Sequence, residues 1–246
     1  MKRYGLIGYP LSHSFSKKYF AKKFEKEGIK NASYELYEIP AADQMPALWK
    51  NFPDLKGLNV TIPYKQDVIS LLDEMDEQAA KIGAVNVIKK EDNGKLKGYN
   101  SDYYGFLNSL KNFAGKDVLQ LKALVLGTGG ASKAVHAALD SLEVPYKKVS
   151  RSAGDQAITY KDVTPELIKS HRLIINTTPL GMHPNTDQAP DLPYDSMDEN
   201  FYLYDLVYNP EETTFMKKGA AKGANTINGL DMLIGQAEKA WEIWNS

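Results

Sequence analysis

Residues 121–142, LKALVLGTGGASKAVHAALDSL, set the fold of the second half of the chain. A continuous apolar run leads into the segment GTGGAS at 127–132, and a run with helical spacing follows it. This order predicts a buried strand, a tight glycine turn and a helix. Such a turn lets the backbone approach a phosphate at the helix N-terminus, as in dinucleotide-binding domains. A plain strand-to-helix turn without a ligand is the alternative, because Ser132 stands at the third glycine position of the GxGxxG pattern.

Apolar strands continue on the C-terminal side of this turn. Strands are predicted in YKKVSRS (146–152), RLIINTTPLGM (172–182) and NFYLYDLVYNP (200–210). Continuous apolar strands with helical stretches between them are typical of a parallel sheet covered on both faces. The sequence therefore predicts a Rossmann-like domain over residues 101–228, followed by a closing helix over 229–246.

The first hundred residues predict a separate α/β domain, which the closing helix joins. Its strands are expected in KRYGLIG (2–8), SYELYEIP (33–40) and LKGLNVTIPYK (55–65). A hairpin is expected over 84–100 with its turn at Asn93-Gly94. The amphipathic pattern of 66–83 predicts one continuous helix between these elements.

Composition excludes several functional classes. Lys and Arg number 30 against 31 Asp and Glu, so the net charge of −1 argues against a nucleic-acid binder. The absence of cysteine excludes disulfides, thiolate-held zinc and a cysteine nucleophile, and four histidines without HExxH spacing predict no metal site. No apolar run approaches the length of a membrane span, so a soluble protein of the cytoplasm is expected.

The end of the second predicted strand of the Rossmann-like domain bears on the choice of dinucleotide. An NAD site usually carries an Asp or Glu there to bind the ribose hydroxyls. This strand instead ends in Ser150, Arg151 and Ser152, and an arginine can pair with a 2′-phosphate. The tip therefore favours NADP, whereas the nearby Asp155 leaves NAD open.

Four loops of the N-terminal half are unusually polar for connections between buried strands. They are GYPLSHSFS (8–16), NVTIPYK (59–65), GAVNV (83–87) and NSD (100–102). Their hydroxyls, amides, single amine and single carboxylate suit a small polyhydroxylated acid. Plain structural roles are the alternative, since the serines and Asp102 can cap helices.

Seven motifs in this order resemble the shikimate dehydrogenase family. They are GxPxxHSxS, NVTxPxK, GAVN, N-x-D, the GxGG turn, NTTPLGM and NGxxMLxxQ, and together they span almost the whole chain. The resemblance implies two α/β domains with the active site in the cleft between them. It implies reversible NADPH-dependent reduction of 3-dehydroshikimate to shikimate in aromatic amino-acid biosynthesis, with a small-molecule substrate and a monomer or homodimer.

The resemblance also implies a role for individual residues. Lys65 is expected to be the catalytic acid/base and Asp102 its partner, with Ser14 and Ser16 at the substrate carboxylate. The residues expected at the ring hydroxyls and the pocket wall are Thr61, Asn86, Asp102, Tyr208 and Gln236. The residues expected at the cofactor are Glu77, Gly127, Thr128, Gly129, Gly130, Ala131, Ser132, Ser150, Arg151, Ser152, Thr177, Thr178, Leu206, Gly229 and Met232.

Three other functions stay open at this point. A quinate/shikimate dehydrogenase of broader specificity could use NAD or NADP, with Tyr34 and Tyr208 as candidates that tune the choice of acid. An aminoshikimate dehydrogenase would change one ring substituent. A non-catalytic sensor is disfavoured because both Lys65 and Asp102 are present, and a sensor needs no proton donor.

Overall fold

The computed structural model describes residues 1–11, 14–154 and 156–246. The chain divides into two compact units, one of Met1–Ser101 with Ala237–Ser246 and the other of Asp102–Gln236. The C-terminal helix therefore contributes its first turns to the second unit and its last turns to the first. The assignment of substrate to 1–100 and cofactor to 101–228 stays a prediction.

The first unit contains a mixed sheet with helices in its connections. Within the described residues, its strands and helices are β1 (Lys2–Gly8), α1 (Phe15–Lys26), β2 (Ala32–Glu38), α2 (Met45–Asn51), β3 (Leu55–Val60), β4 (Glu74–Met75), α3 (Glu77–Ile82), β5 (Val87–Lys90) and β6 (Leu96–Tyr99).

The strand order of this sheet is β2-β1-β3-β5-β6-β4. Strand β1 pairs in parallel with β2 and β3, and β5 is antiparallel to both of its neighbours. The hairpin predicted over 84–100 is confirmed as β5 and β6, and Gly94 in its turn has a φ of +85°. Because β1 and β3 are adjacent and parallel, the loops that follow them start at the same edge of the sheet.

Side chains of β1 alternate between two apolar layers. Tyr4 and Leu6 pack with Phe20 of α1 and with Trp244 of the C-terminal helix. Ile7 belongs to a separate cluster on the other face, with α2 and β3. This alternation is the period of two that a strand buried on both faces requires.

Trp244 lies directly over Gly57 in the centre of β3. Its indole is stacked on the Tyr4 ring with centroids 4.8 Å apart, and its Nε1 donates to the carbonyl of Ile88 at 3.0 Å. A Cβ at Gly57 would stand 2.1 Å from that Nε1. The close approach of the helix to the sheet therefore depends on glycine at this position.

The single helix predicted over 66–83 is wrong. The segment forms a 3-10 turn at Asp67–Leu71, the short strand β4 and then α3. The Asp73 N–H donates to the carbonyl of Leu96, and its carboxylate accepts the N–H of the same residue at 2.8 Å. Asp76 then caps α3 by accepting the N–H groups of Gln78 and Ala79. The bonds of these two aspartates replace those of a continuous helix, so that an edge strand forms and a new helix begins. Aspartate commonly competes with helical hydrogen bonds in this way.

The second unit is built on a parallel sheet. Its described helices and strands are α4 (Ser101–Ala114), β7 (Ala123–Leu126), α5 (Gly130–Ser141), β8 (Tyr146–Ser150), β9 (Ala157–Thr159), α6 (Pro165–Ser170), β10 (Leu173–Asn176), β11 (Tyr202–Asp205), α7 (Thr214–Ala220), β12 (Asn225–Ile227) and α8 (Leu230–Asn245).

The strand order β12-β11-β10-β7-β8-β9, with every pair parallel, confirms the Rossmann-like prediction. The order reverses between β7 and β10, and ligands of such sheets bind at the carboxyl ends of strands at this point. The four predicted strands are present, but β10 and β11 end earlier than the apolar runs suggest. The strands β9 and β12 have three residues each, which is too short to give a sequence pattern.

Substitution of Gly57 by alanine is expected to destabilise the first unit. The new methyl group must displace the Trp244 indole, so the free energy of unfolding should fall by about 1–3 kcal/mol. Lys56→Ala, at the exposed neighbouring position of β3, is the control and should change it by less than about 0.5 kcal/mol. Urea unfolding followed by tryptophan fluorescence measures both, and equal midpoints for the two variants would contradict the expectation.

Candidate active site

The loops after β1 and β3 are bonded to each other in the first unit. The Thr61 N–H donates to the carbonyl of Ile7 at 3.0 Å, and the Tyr9 N–H donates to the carbonyl of Ile62 at 3.2 Å. The Leu11 N–H donates to Oε1 of Glu38 at 3.0 Å. Adjacent parallel strands therefore place the predicted substrate residues of two distant motifs at one edge of the sheet.

Lys65, the candidate acid/base, lies in a turn with two fixed neighbours. Its carbonyl accepts the N–H of Val85 at 2.7 Å. The preceding residue, Tyr64, is buried, and its hydroxyl donates to the carbonyl of Ile39 at 2.6 Å. These bonds to Val85 and Ile39 hold the backbone from which the half-buried Lys65 side chain extends.

Asn86 joins the GAVN and NSD loops. Its Nδ2 donates to Oγ of Ser101 at 3.0 Å, and its Oδ1 accepts the Ser101 N–H at 2.6 Å. Asn100 donates from Nδ2 to the carbonyl of Ala84 at 2.9 Å. All of these side chains are buried, and the next residue, Asp102, is buried in the first turn of α4. The structure thus brings Asn86 to the start of the segment that carries Asp102.

Ser14 and Ser16 flank the start of α1. Ser14 is at the N-cap position, but its side chain makes no capping bond, and its buried Oγ has no partner among the described residues. Ser16 is half-buried in the first turn of α1. A buried hydroxyl that has no partner in the part of the chain that the structure describes fits a role in ligand binding better than a capping role. His13, which directly precedes Ser14, is outside the described residues.

The glycine turn of the second unit leaves open space above α5. Gly127 has a φ of +104°, and a Cβ there would stand 2.8 Å from Oγ1 of Thr177. A Cβ at Gly129 or Gly130 would meet nothing within 4 Å. Gly129 is the N-cap of this twelve-residue helix and offers no side chain to its first N–H groups. The turn therefore fits a dinucleotide pyrophosphate, which would accept these donors.

The other predicted cofactor residues of this turn differ in how far their side chains are exposed. Thr128 is exposed and Ala131 is half-buried. Ser132 is buried, and its hydroxyl donates to the carbonyl of Gly129 at 2.7 Å. Ser132 therefore shapes the turn from within.

The tip after β8 forms a small turn of its own. The Ser152 N–H donates to Oγ of Ser150 at 3.2 Å. Arg151 between them is exposed and interacts electrostatically with Tyr160. Asp155, which leaves NAD open in the sequence, lies outside the described residues. The exposed guanidinium at the end of this strand agrees with the position expected for a 2′-phosphate partner.

The loop after β10 is bonded to the glycine turn. Thr177 donates to the carbonyl of Leu126 from its N–H at 2.9 Å and from its hydroxyl at 2.7 Å. Thr178 donates to Oδ1 of Asn176 from its N–H at 3.0 Å and from its hydroxyl at 2.6 Å. These bonds bring the predicted pyrophosphate and nicotinamide residues of two adjacent strands together.

The loop after β11 meets the start of α8. The Gly229 N–H donates to the carbonyl of Val207 at 3.2 Å, and a Cβ on Gly229 would be 2.1 Å from the carbonyl oxygen of Leu206. Met232 is buried in the first turn of α8. Only glycine permits this close approach, which places three predicted cofactor residues side by side.

Asp205 connects the loops after β10 and β11. Its Oδ1 accepts from Nδ2 of Asn176 at 2.9 Å and from the N–H of Val207 at 3.0 Å, and its Oδ2 accepts the Thr213 hydroxyl at 2.6 Å. The carboxylate is fully buried. Burial raises the pKa of Asp205 to about 6, and the three donors partly offset that rise.

Three further predicted residues have distinct surroundings. Gln236 is buried on α8, where a Cβ on Gly105 would be 2.9 Å from its backbone nitrogen. Tyr208 is half-buried, which raises the pKa of its hydroxyl. Glu77 is exposed in the first turn of α3 and pairs with Lys81 at 2.7 Å, which lowers the pKa of Glu77. The structure does not join Glu77 to the other predicted residues of its unit.

Comparison with known proteins identifies the family. Residues 6–88 match the model of the shikimate dehydrogenase substrate binding domain. The shikimate dehydrogenase (NADP(+)) of Clostridium beijerinckii is 42% identical over 99% of this chain and 92% of its own length. The chain belongs to the shikimate dehydrogenase family.

Solved structures of this family have the same fold. A chorismate mutase/shikimate 5-dehydrogenase fusion protein from Clostridium acetobutylicum gives a TM-score of 0.89 at 37% identity, covering 100% of this chain and 91% of that one. Shikimate 5-dehydrogenase from Thermus thermophilus, in complex with NADP(H) and shikimate, gives 0.87 at 32% identity and covers 99% and 93%. The predictions of family and fold class are confirmed.

Sequence reasoning missed the side chains that bind the loops to one another. Asn59 and Asp205 were not singled out, although each is the polar residue at or near the end of an apolar strand. Polar residues at the carboxyl ends of adjacent parallel strands are neighbours. That rule would have paired Asp205 with Asn176 once the strand order was known.

The described residues contain no group of three or more His, Asp or Glu side chains placed to hold a metal ion. None of their helices has both the length and the apolar character needed to cross a membrane.

The buried carboxylate of Asp205 is expected to make stability depend on pH. Its pKa is about 6 in the folded protein and near 4 in the unfolded chain. Because the folded value is the higher one, the contribution to stability is present below about pH 4 and lost as the pH rises through about 6. Relative to Asp205→Asn, the free energy of unfolding should fall by on the order of 3 kcal/mol between pH 4 and 7.

Urea unfolding of both proteins at several pH values measures this difference. The size of the difference at any single pH also includes other effects of the substitution, so the change in the difference between pH 4 and 7 is the test. Asp187→Asn, which removes an exposed carboxylate of the same unit, is the control. A difference that stays constant from pH 4 to 7 would contradict the assigned burial effect.

Proposed function

We propose that this chain is an NADP-dependent shikimate dehydrogenase that reversibly reduces 3-dehydroshikimate to shikimate in aromatic amino-acid biosynthesis. The observation that carries the proposal is the full-length similarity to relatives named shikimate dehydrogenase (NADP(+)), among them the Clostridium beijerinckii protein at 42% identity. These names confirm the predicted oxidoreductase class and the predicted cofactor. They support the main prediction and not the quinate/shikimate alternative.

Lys65 is proposed as the proton donor. A nicotinamide held by the predicted cofactor residues would supply the hydride, and the carbonyl oxygen of the substrate would then gain negative charge. An ammonium within hydrogen-bond reach stabilises that charge and transfers its proton to the oxygen. The Val85 bond to the Lys65 carbonyl supports this role because it fixes the backbone from which the side chain extends. Asp102 is proposed to orient the Lys65 ammonium and the reacting hydroxyl.

The substrate acid is proposed to bind through hydroxyl and amide groups. Ser14 and Ser16 donate to the carboxylate, and the buried Oγ of Ser14, which has no partner among residues 1–11, 14–154 and 156–246, supports this role. Thr61 and Asn86 contact ring hydroxyls. The bond from Nδ2 of Asn86 to Oγ of Ser101 supports this role because it fixes the orientation of the amide.

The cofactor is proposed to bind in the second unit, to the donors of the glycine turn, with Arg151 at the 2′-phosphate. The rigid, always charged guanidinium favours a phosphate over a hydroxyl at that position. Thr177, Thr178 and Leu206 then lie on the nicotinamide side, with Gly229 and Met232 next to them. Tyr208, Gln236 and Glu77 keep their predicted roles in this proposal.

The remaining parts of the proposal concern assembly and place. The partner is a small-molecule substrate, the assembly is a monomer or homodimer, and the compartment is the cytoplasm, as the sequence predicts.

A four-way assay tests the activity. Purified protein is offered shikimate or quinate with NADP⁺ or NAD⁺, and reduced nicotinamide is followed by absorbance. Shikimate with NADP⁺ is expected to give the highest kcat/KM. Comparable rates with quinate or NAD⁺ would replace the proposal by the broader-specificity enzyme. No rate in any combination, with shikimate binding still measurable by calorimetry, would favour the sensor.

Substitution of Lys65 by alanine is expected to lower kcat by about 10²–10⁴-fold, the usual effect of losing a general acid/base. Shikimate binding and the melting temperature should change little, since Lys65 is in a surface turn. Lys50→Ala, an exposed lysine of the same unit, is the matched control and should keep the wild-type kcat. An unchanged kcat in Lys65→Ala would remove Lys65 from the mechanism.

A further inference from the structure

Both polar atoms of the Asn176 side chain hold the loop that follows β10. The Oδ1 atom accepts the N–H of Thr178 at 3.0 Å and the hydroxyl of the same residue at 2.6 Å. The Nδ2 atom donates to Oδ1 of Asp205 at 2.9 Å and, more weakly, to the carbonyl of Leu180 at 3.4 Å. This side chain therefore fixes the backbone of residues 178–180 and joins it to the neighbouring strand.

The two carboxylate oxygens of Asp205 serve different elements. The Oδ1 atom accepts from Asn176 and from the N–H of Val207 at 3.0 Å, so it connects the loops after β10 and β11. The Oδ2 atom accepts the hydroxyl of Thr213 at 2.6 Å. Thr213 in turn caps α7 by accepting the N–H of Met216. One oxygen thus holds two loops together, and the other holds the start of a helix.

The two loops joined by Oδ1 lie next to the glycine turn and to the start of α8. Thr177 donates from its N–H and from its hydroxyl to the carbonyl of Leu126, the last residue of β7. Val207 accepts at its carbonyl the N–H of Gly229, which directly precedes α8. The strand order reverses between β7 and β10, where parallel sheets of this kind bind their ligands. The connected loops are therefore those to which the proposed function assigns the cofactor.

Packing of the core does not require a carboxylate at position 205. Burying a charged group costs free energy even when donors surround it, and an apolar side chain can fill the same space without that cost. In some proteins a buried ionic group is retained because it fixes one arrangement of the chain. The arrangement that Oδ1 of Asp205 fixes is the spacing of the two loops.

We propose that Asn176 and Asp205 are positioning residues that set the spacing of the loops after β10 and β11 for the nicotinamide half of NADP. The proposal deepens the function proposed above and rests on it. Both side chains are 0% exposed, so they act through Thr178 and Val207 and not by contact with the cofactor.

Asn176→Ala removes the acceptor of the Thr178 bonds and one donor to Asp205. The KM for NADP⁺ should rise about three- to tenfold, which corresponds to the net effect of one hydrogen bond. The Kd for NADP⁺, measured by calorimetry, should rise by the same factor. The KM for shikimate should stay within about twofold of wild type, because the substrate loops belong to the other unit. An equal rise in both KM values would indicate general loosening and overturn the proposal.

Thr213→Val is the matched control. It keeps the volume of the side chain and removes the donor to the other oxygen of the same carboxylate. The melting temperature should fall, while the KM for NADP⁺ should stay within about twofold of wild type. If Asn176→Ala behaves in the same way, with a lower melting temperature and an unchanged KM, its bonds are purely structural and the proposal is overturned.

Substitutions of Asp205 separate the position of the acceptor from its charge. In Asp205→Asn the amide oxygen can accept from Asn176 and Val207, and the amide nitrogen can donate to the oxygen of Thr213. This variant should keep the wild-type KM for NADP⁺. Asp205→Ala has no acceptor and should raise that KM about three- to tenfold. A wild-type KM in Asp205→Ala would overturn the proposal.

Asn176→Leu combined with Asp205→Asn covers a failure of the alanine variants to fold. Leucine fills the space of asparagine, and the amide at position 205 removes the buried charge together with the donor that Asn176 supplied. The bonds of position 205 to Val207 and Thr213 can persist, so the connection to the loop after β10 is what the variant loses. The same rise in the KM for NADP⁺ is expected, and an unchanged KM would overturn the proposal.

Binding measurements separate this proposal from the proposed function. Wild-type protein that binds NADP⁺ but oxidises no shikimate overturns the proposed activity alone, and the Kd values of the variants still test the positioning role. Wild-type protein that binds no NADP⁺ overturns both. Active wild-type protein whose variants all keep the KM for NADP⁺ overturns the positioning role alone.

Discussion

Hydrogen bonds between buried polar side chains, at or next to the carboxyl ends of neighbouring strands, hold the loops on which both candidate half-sites depend. In the second unit, Asn176 and Asp205 end β10 and β11 and are joined at 2.9 Å. In the first unit, Asn86, directly before β5, donates from Nδ2 to Oγ of Ser101, which follows the carboxyl end of β6, at 3.0 Å. Beyond the last pair of a strand there is no ladder to fix the backbone. Side-chain bonds take over this task, and the low dielectric of a buried site strengthens them.

Burying the polar groups that form these bonds costs free energy, and the packing of the core does not require these groups. Burial of the Asp205 carboxylate raises its pKa to about 6, so its charged form destabilises the fold at neutral pH. The three donors around it compensate only in part. A buried group of this kind is retained where it fixes a unique arrangement. Here it fixes the loops that carry Thr178 and Leu206, two residues of the proposed cofactor site.

The tyrosines of β1 and β2 show the same principle without charge. Tyr4 and Tyr34 are paired in register and share one aromatic cluster. Among the described residues, the Tyr4 hydroxyl has no partner, whereas the Tyr34 hydroxyl donates to Oδ1 of Asn59 on β3 at 2.8 Å. The aromatic cluster stabilises the position of both rings, and the bond of Tyr34 to Asn59 connects that cluster to the end of β3.

Local patterns in the sequence determined the glycine turn and α5, the hairpin of β5 and β6, and the order of the polar motifs that indicates the family. The turn, the helix, the hairpin and each single motif are encoded by residues that are close together in the chain. The break of 66–83 at Asp73 and Asp76 was not predictable in this way, because the bond that ends the first helical turn goes to Leu96. The partners of Tyr34 and Asp205 are likewise distant in the chain. Strand order and register bring them together, so these roles became visible only when the sheets were assembled.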